Sequence, residues 1–390
     1  MWKLRVGGEH YYLSQVAKGL DDYYTGRGEM PGRWLGAATS GLGLGAGEVT
    51  VDELRAVLAG LAPNTGLTPN GERLKTWKGR VPGFDLTFSA PKSVSVLYGL
   101  GDPLVAGQVI EATDAAVDTA LAWMEREACF VRRGSNNRTG RNLDGAGFGT
   151  RRLPGAGFVA AGFRHRTSRA GDPQVHTHVL VANMTRGPDG RWSALDAQGL
   201  YRSKRTAGVV YQTVLREELS RRLGVSWGPT RNDSAEIAGI PAGVLRLFSK
   251  RRQEIEAALA ANGGEGPAAS AVATLATRRA HEDIDAESLR DRWRDEAATV
   301  GFSGDDIDRL LADRAPIPPD IETVSLDDVD TETGVVGARE IRSAVFVDAI
   351  TDAMIGRDST CTRHQVTEAV ASLLPAGATV GALQRITSWV

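Results

Sequence analysis

The stretch Phe163-Arg164-His165-Arg166-Thr167-Ser168-Arg169-Ala170-Gly171-Asp172-Pro173-Gln174-Val175-His176-Thr177-His178 holds three of the six histidines in this 390-residue chain. Neutral imidazole is a preferred ligand for catalytic divalent metals. Val175 to Asn183 is rich in Val and Leu and reads as a strand, and Phe158 to His165 reads as another. The Arg, Gly, Asp and Pro residues between them suit a hairpin connection. Alternation along a strand puts His176 and His178 on one face, and closing the hairpin brings His165 alongside. A lone His-x-His often marks only a half-buried polar pair. A third histidine on the neighbouring strand shifts the balance towards a metal site that keeps coordination positions open.

Working outward, four of the seven tyrosines fall in the first 24 residues as two pairs, Tyr11-Tyr12 and Tyr23-Tyr24. A phenol can serve as a covalent nucleophile once deprotonated. Its ordinary pKa of about 10 means that a metal or a base must activate it. Attack on a DNA phosphodiester would give a phosphotyrosine ester and conserve the bond energy for rejoining. Such pairs also occur simply as helix packing with the hydroxyls in water.

Charge is balanced overall, with 46 basic and 48 acidic residues, but unevenly spread. Between Phe130 and Ala170 stand nine arginines (Arg132, Arg133, Arg138, Arg141, Arg151, Arg152, Arg164, Arg166 and Arg169) and one acid, Asp144. That asymmetry is the footprint expected of a nucleic-acid site. Lys92 follows Ser89-Ala90-Pro91 at the start of a helix, where phosphates are favoured, and is a candidate phosphate contact. Trp77, Trp192 and Tyr201 are candidate stacking surfaces for single-stranded bases. In Gly83 to Phe88, Asp85 and Thr87 share one strand face, and Phe84, Leu86 and Phe88 take the other.

The remaining elements alternate strands and helices. Residues 9–25 read as helical. Thr50-Val51-Asp52-Glu53 is a capping box that opens a helix to Leu61. Helices are expected from about Pro91, over Leu104 to Ala128, and over Thr206 to Leu223 with Gly224 at its end. Pro188-Asp189-Gly190 marks a turn before a short strand. Helices mixed with adjacent hairpins give an α+β fold with an antiparallel sheet. Ile240 to Arg314 reads as helical and charged. The expected organisation is 1–235, 236–314 (a mainly helical extension), an acidic linker at 315–337, and the start of a further module at 338–390. Cys129 and Cys361 are too few for a disulfide framework. With no run of about 18 apolar residues, no membrane insertion is expected, and the reading is a cytoplasmic protein.

Together, the histidine motif, the tyrosine pairs and Phe84-Asp85-Leu86-Thr87-Phe88-Ser89-Ala90-Pro91-Lys92-Ser93-Val94-Ser95 resemble the MobF (TrwC/TraI-type) conjugative relaxases of the HUH endonuclease superfamily. Thr177 stands where that motif has its middle hydrophobic residue. The resemblance covers roughly residues 5 to 230. It implies a palm-like antiparallel sheet with flanking helices, and a helical region folding over DNA. It implies site- and strand-specific nicking of a transfer origin through a 5′-phosphotyrosine intermediate, followed by rejoining. Tyr11 would make the first nick and Tyr23 the second transfer, with Tyr12 and Tyr24 as alternates. His165, His176 and His178 would bind a divalent metal, and Asp85 would act as a base or orient a histidine. The metal would be Mg²⁺ or Mn²⁺, with Zn²⁺ or Ni²⁺ as alternatives, since three imidazoles suit zinc, manganese or nickel better than magnesium on softness. DNA contacts would come from Lys92, Arg132, Arg133, Arg138, Arg141, Arg151, Arg152 and Arg169.

The implied partners are single-stranded or hairpin DNA of the origin, other relaxosome proteins and a coupling protein, with the chain acting as a monomer. A helicase-like continuation is expected. The chain has no G-x-x-x-x-G-K-[ST] phosphate loop, so no ATPase activity is expected from it. The competing readings are a rolling-circle replication initiator or transposase of the same superfamily, and a non-catalytic single-strand binding module.

Overall fold

The computed structural model describes residues 1–4, 31–45, 47–73, 80–134, 150–262, 266, 269, 272–274, 277, 286–312 and 361–389. The four N-terminal tyrosines, Trp77, Arg138, Arg141 and the expected linker lie outside the described residues. Two compact units make up the chain. One comprises Met1–Phe88, Ala120–Arg164 and Thr177–Ala207; the other comprises Ser89–Thr119, His165–His176 and Gly208–Val390.

The first unit holds most of an antiparallel sheet. Its strands are β1 (Trp2–Lys3), β2 (Arg33–Leu35), β3 (Gly83–Ser89), β6 (Ala160–Thr167) and β7 (Pro173–Ala182), in the order β1-β3-β7-β6-β2. Asn183 N donates to Pro82 O and Ala90 N to Val175 O, and these bonds bracket the β3–β7 pairing and set Thr87 opposite His178. Ala182 N donates to Val159 O and Ser168 N to Asp172 O at the two ends of the β6–β7 hairpin, and the His165 and His176 rings meet across it. A two-strand ribbon, β4 (Phe130–Arg133) with β5 (Arg151–Pro154), and a second, β8 (Thr185–Arg186) with β9 (Trp192–Ser193), complete the strands.

The core of this unit follows from alternation. Ala161, Phe163, Leu180 and Ala182 share one sheet face, where they pack with Trp34 and with Leu54, Val57 and Leu58 of α1 (Val51–Ala59). The Thr50–Glu53 capping box is present at the start of α1, and Gly60 ends it in the left-handed region at φ +80°. Helix α4 (Ala197–Leu223) begins nine residues before the expected Thr206. Asp196 supplies the start signal, accepting from the Gln198 N–H through its side chain.

The second unit is mainly helical. Helix α2 (Lys92–Leu100) is buried from Ser93 to Leu100, and this suits its nearly unbroken apolar sequence. The long α3 (Pro103–Ala128) follows, close to the expected span. After α4 come α5 (Ala242–Leu247), α6 (Lys250–Asn262), α7 (Ala286–Ala298) and α8 (Gly304–Ala312). Helices α9 (Arg363–Ser372) and α10 (Val380–Trp389) close the described chain. They pack on the second half of α4: Arg216 Nη2 donates to the Ala371 and Leu374 carbonyls at 3.4 Å, and Ser220 Oγ donates to the Ala376 carbonyl at 3.4 Å. Cys129 and Cys361 are free thiols, and no described helix is long and apolar enough to cross a membrane.

Thr50→Ala removes the α1 cap and should cost about 1 kcal/mol. Leu54→Ala, which opens a cavity in the core, should cost about 2–5 kcal/mol. Urea unfolding followed by far-ultraviolet circular dichroism should rank the two variants in that order.

Candidate metal centre and nucleic-acid interface

One face of the β6–β7 hairpin carries two kinds of chemistry. Ala161, Phe163, Leu180 and Ala182 enter the core, while His165, His176 and His178 lie towards the turn on the same alternation. Their potential ligand atoms all lie within 4.8 Å of one another. The His165 and His176 rings meet edge-on with centroids 5.1 Å apart. His165 is buried, and the other two are partly open to solvent.

The hydrogen bonds around the rings decide which nitrogen faces a cation. His178 Nδ1 lies 2.9 and 3.0 Å from the two Asp85 carboxylate oxygens, and His176 Nδ1 lies 2.9 Å from the Gln174 carbonyl oxygen. An ionised carboxylate and a carbonyl can only accept, so each Nδ1 carries its proton and donates it. Each Nε2 then holds the lone pair that a metal requires, in the arrangement by which outer partners orient metal-binding imidazoles. Three imidazoles whose potential ligand atoms lie this close together fit a divalent cation. Asp85 is 5% exposed and projects from β3 onto the histidine face. Thr87, two residues on, places its hydroxyl 3.4 Å from His178 Nδ1.

The arginines divide by how far they are committed inside the protein. Cross-strand pairing puts Arg132 opposite Arg152 and Arg133 opposite Arg151, and like charges so placed repel. The buried Asp196 offsets this, meeting Arg132 at 2.6 Å and Arg152 at 3.1 Å. Arg152 also lies over the Phe130 ring, 3.7 Å from its centroid. Arg133 grips Asp189 through two nitrogens at 2.7 and 2.9 Å and donates to Ser193 Oγ. That hydrogen bond holds the Asp189 carboxyl down at about 2 and raises the Arg133 guanidinium.

Arg133 is thus tied to the turn that precedes β9 and to β9 itself. Arg151 is exposed, and the side chains of Arg132 and Arg152 are 55% and 43% exposed. Arg169 is partly buried at the hairpin turn. Asp189 and Asp196 lie beyond the arginine-rich segment Phe130 to Ala170. Neither position carries a sequence signal of pairing with those arginines.

The Lys92 Nζ donates to the Pro173 carbonyl at 2.8 Å, and burial pulls its ammonium down to about 8 against Asp172 and Glu236. A long apolar stem lets the amine reach that inward acceptor. Of the stacking candidates, Tyr201 is 43% exposed and sits edge-on to Phe84 at 6.2 Å, while Trp192 is partly buried against the core of the first unit.

A sheet-borne trio of imidazoles with a carboxylate behind one of them marks a metal-assisted site. The TrwC relaxase family model matches residues 6–300, and the chain belongs to that family. It is 32% identical over 293 residues to the multifunctional conjugation protein TraI of Escherichia coli, covering 72% of this chain and 15% of TraI. It thus spans less than one-sixth of that relative's length. Among solved structures it resembles TrwC complexed with a 27-mer DNA comprising the recognition hairpin and the cleavage site. That match has a TM-score of 0.64 and 29% identity, over 78% of this chain and 98% of the other. It also resembles a metal-bound structure of conjugative relaxase TrwC in complex with oriT DNA. Here the TM-score is 0.63 and the identity 30%, over 75% and 96% of the two chains.

Asp85→Asn keeps the shape but replaces the carboxylate behind His178 with a neutral amide. The expected result in titration calorimetry with Mn²⁺ is a loss of about 10–100-fold in affinity.

Proposed function

We propose that the chain is the nicking module of a conjugative DNA relaxase, cutting one strand at a transfer origin and holding its 5′ end on a tyrosine. The convergence of His165, His176 and His178 within 4.8 Å, in a chain of the TrwC relaxase family, carries this reading. The three histidines hold one divalent cation, Mg²⁺ or Mn²⁺, with Zn²⁺ or Ni²⁺ as alternatives. When bound, it supplies positive charge that polarises a phosphate and offsets charge in the transition state.

The protein's own groups do the rest. The Tyr11 hydroxyl oxygen bonds to phosphorus as the bond from phosphorus to the 3′ oxygen breaks. The phenol's proton is lost, a proton is taken up by the departing 3′ oxygen, and the 5′ phosphate stays on the tyrosine. Reversal by a 3′-hydroxyl rejoins the strand. Tyr23 serves the second transfer, with Tyr12 and Tyr24 as alternates. Because the Asp85 carboxylate is engaged by His178 Nδ1, Asp85 orients that imidazole. Arg132, Arg151 and Arg152, together with Arg138, Arg141 and Arg169, track the DNA backbone. Residues 1–235 supply the chemistry, and the helical region 236–314 closes over the bound strand. Other relaxosome proteins and a coupling protein are the further partners, and the chain works as a cytoplasmic monomer on one strand.

The test is a denaturing gel with labelled single strands spanning the transfer origin. Wild type with Mn²⁺ should give a shifted covalent band. Chelator or Tyr11→Phe should abolish the band, and Tyr11→Phe should still bind the oligonucleotide. An adduct retained in Tyr11→Phe would move the nucleophile to another tyrosine, and no adduct in any condition despite tight binding would refute strand transfer.

A further inference from the structure

Two of the three histidines sit at the mouth of a hairpin turn. His165 is near the end of β6, His176 follows Pro173 by three residues, and Ser168 to Asp172 connect the strands. A two-stranded tip has little stability of its own, so its path depends on what holds it. In this chain the segment His165–His176 belongs to the mainly helical unit.

Contacts from three helices converge on three consecutive turn residues. Trp293 Nε1 of α7 donates to the Gly171 carbonyl at 2.8 Å, and Arg292 Nη2 donates to the same oxygen at 2.9 Å. The Lys250 backbone N–H, at the start of α6, donates to Asp172 Oδ2 at 2.8 Å. Lys250 Nζ lies 3.5 Å from Asp172 Oδ1 and 2.6 Å from Glu296 of α7. From α2, Lys92 Nζ donates to the Pro173 carbonyl.

The Asp172 side chain is fully buried. Burial pushes its carboxyl up, and Lys92 and Lys250 oppose that push. Gly171 is in the left-handed region at φ +75°, and a Cβ there would run into the Arg292 guanidinium. The Trp293 ring is fitted as closely: a Cβ on Gly99 of α2 would lie 3.0 Å from it and 3.2 Å from Pro173. A carboxylate this deeply buried is costly unless it is paired. Placing one at a hairpin turn, with the backbone N–H and the ammonium of Lys250 as its partners, ties the turn to the start of α6.

We propose that Asp172, Lys250, Arg292 and Trp293 are positioning residues for the metal centre, the helical region setting the separation of His165 and His176 by clamping the hairpin turn. This rests on the metal-site reading above, and it assigns the helices after the sheet a role in the chemistry besides any contact with DNA. Metal ligands must be held to within a fraction of an ångström to bind well, so loosening the clamp acts at a distance through ligand geometry.

The test uses the full chain carrying Trp293→Phe, which keeps an aromatic ring but loses the donor to Gly171, and separately Asp172→Asn, which keeps the shape but loses the charge. Thr50→Ala, in the cap of α1, serves as a control for general destabilisation. Mn²⁺ and Co²⁺ affinities are measured by calorimetry, the Co²⁺ ligand-field spectrum reports geometry, and a labelled single-stranded oligonucleotide reports DNA binding without metal. The clamp variants should remain folded, bind the oligonucleotide as wild type does, lose about tenfold in metal affinity, and shift the Co²⁺ spectrum. Thr50→Ala should leave both metal readouts unchanged. Folded clamp variants with wild-type affinity and spectrum would overturn the positioning role and leave the metal site standing. Wild type that binds neither ion would overturn the metal site itself and this proposal with it.

Discussion

The pairing of β6 with β7 is the constraint on which the rest depends. Side chains alternate along a strand, so one register brings His165, His176 and His178 together on the face that elsewhere buries Phe163 and Leu180. A slip of one residue would send the histidines to the other face and pull the core residues out with them. The hydrophobic core and the candidate metal centre are thus held in register by the same ladder. The apolar half penalises any slip that would scatter the ligands.

The polar surroundings follow a single logic. Asp85 accepts from His178, Gln174 accepts from His176, Asp196 gathers Arg132 and Arg152, and Asp189 holds Arg133. In each case an acceptor fixes a cationic or amphoteric group in one orientation. Around the imidazoles this orients the rings. In the β4–β5 ribbon it relieves repulsion between facing arginines and still leaves Arg151 exposed. Cations that stand so close together need such internal anions.

Local rules made much of this legible in the sequence. The capping box at Thr50, the histidine-bearing strands and the face shared by Asp85 and Thr87 each rest on spacing within a few residues, and each stands in the structure as its spacing implies. What escaped was long-range. Helix α4 was read as starting late because Gly199, Ser203, Lys204 and Arg205 dilute its apolar period. Nothing near Lys92 in the chain announces its bond to the Pro173 carbonyl 81 residues away. The partners of Asp172 lie on helices more than seventy residues along the chain. A buried carboxylate in a turn carries no local mark of them.

The most direct test of the account is the coordination of the ion itself. X-ray absorption on Co²⁺-loaded protein should show one ion per chain with three imidazole nitrogens in its shell, falling to two in His165→Ala. An oxygen-dominated shell, or one unchanged by His165→Ala, would contradict the reading of this hairpin as a metal centre.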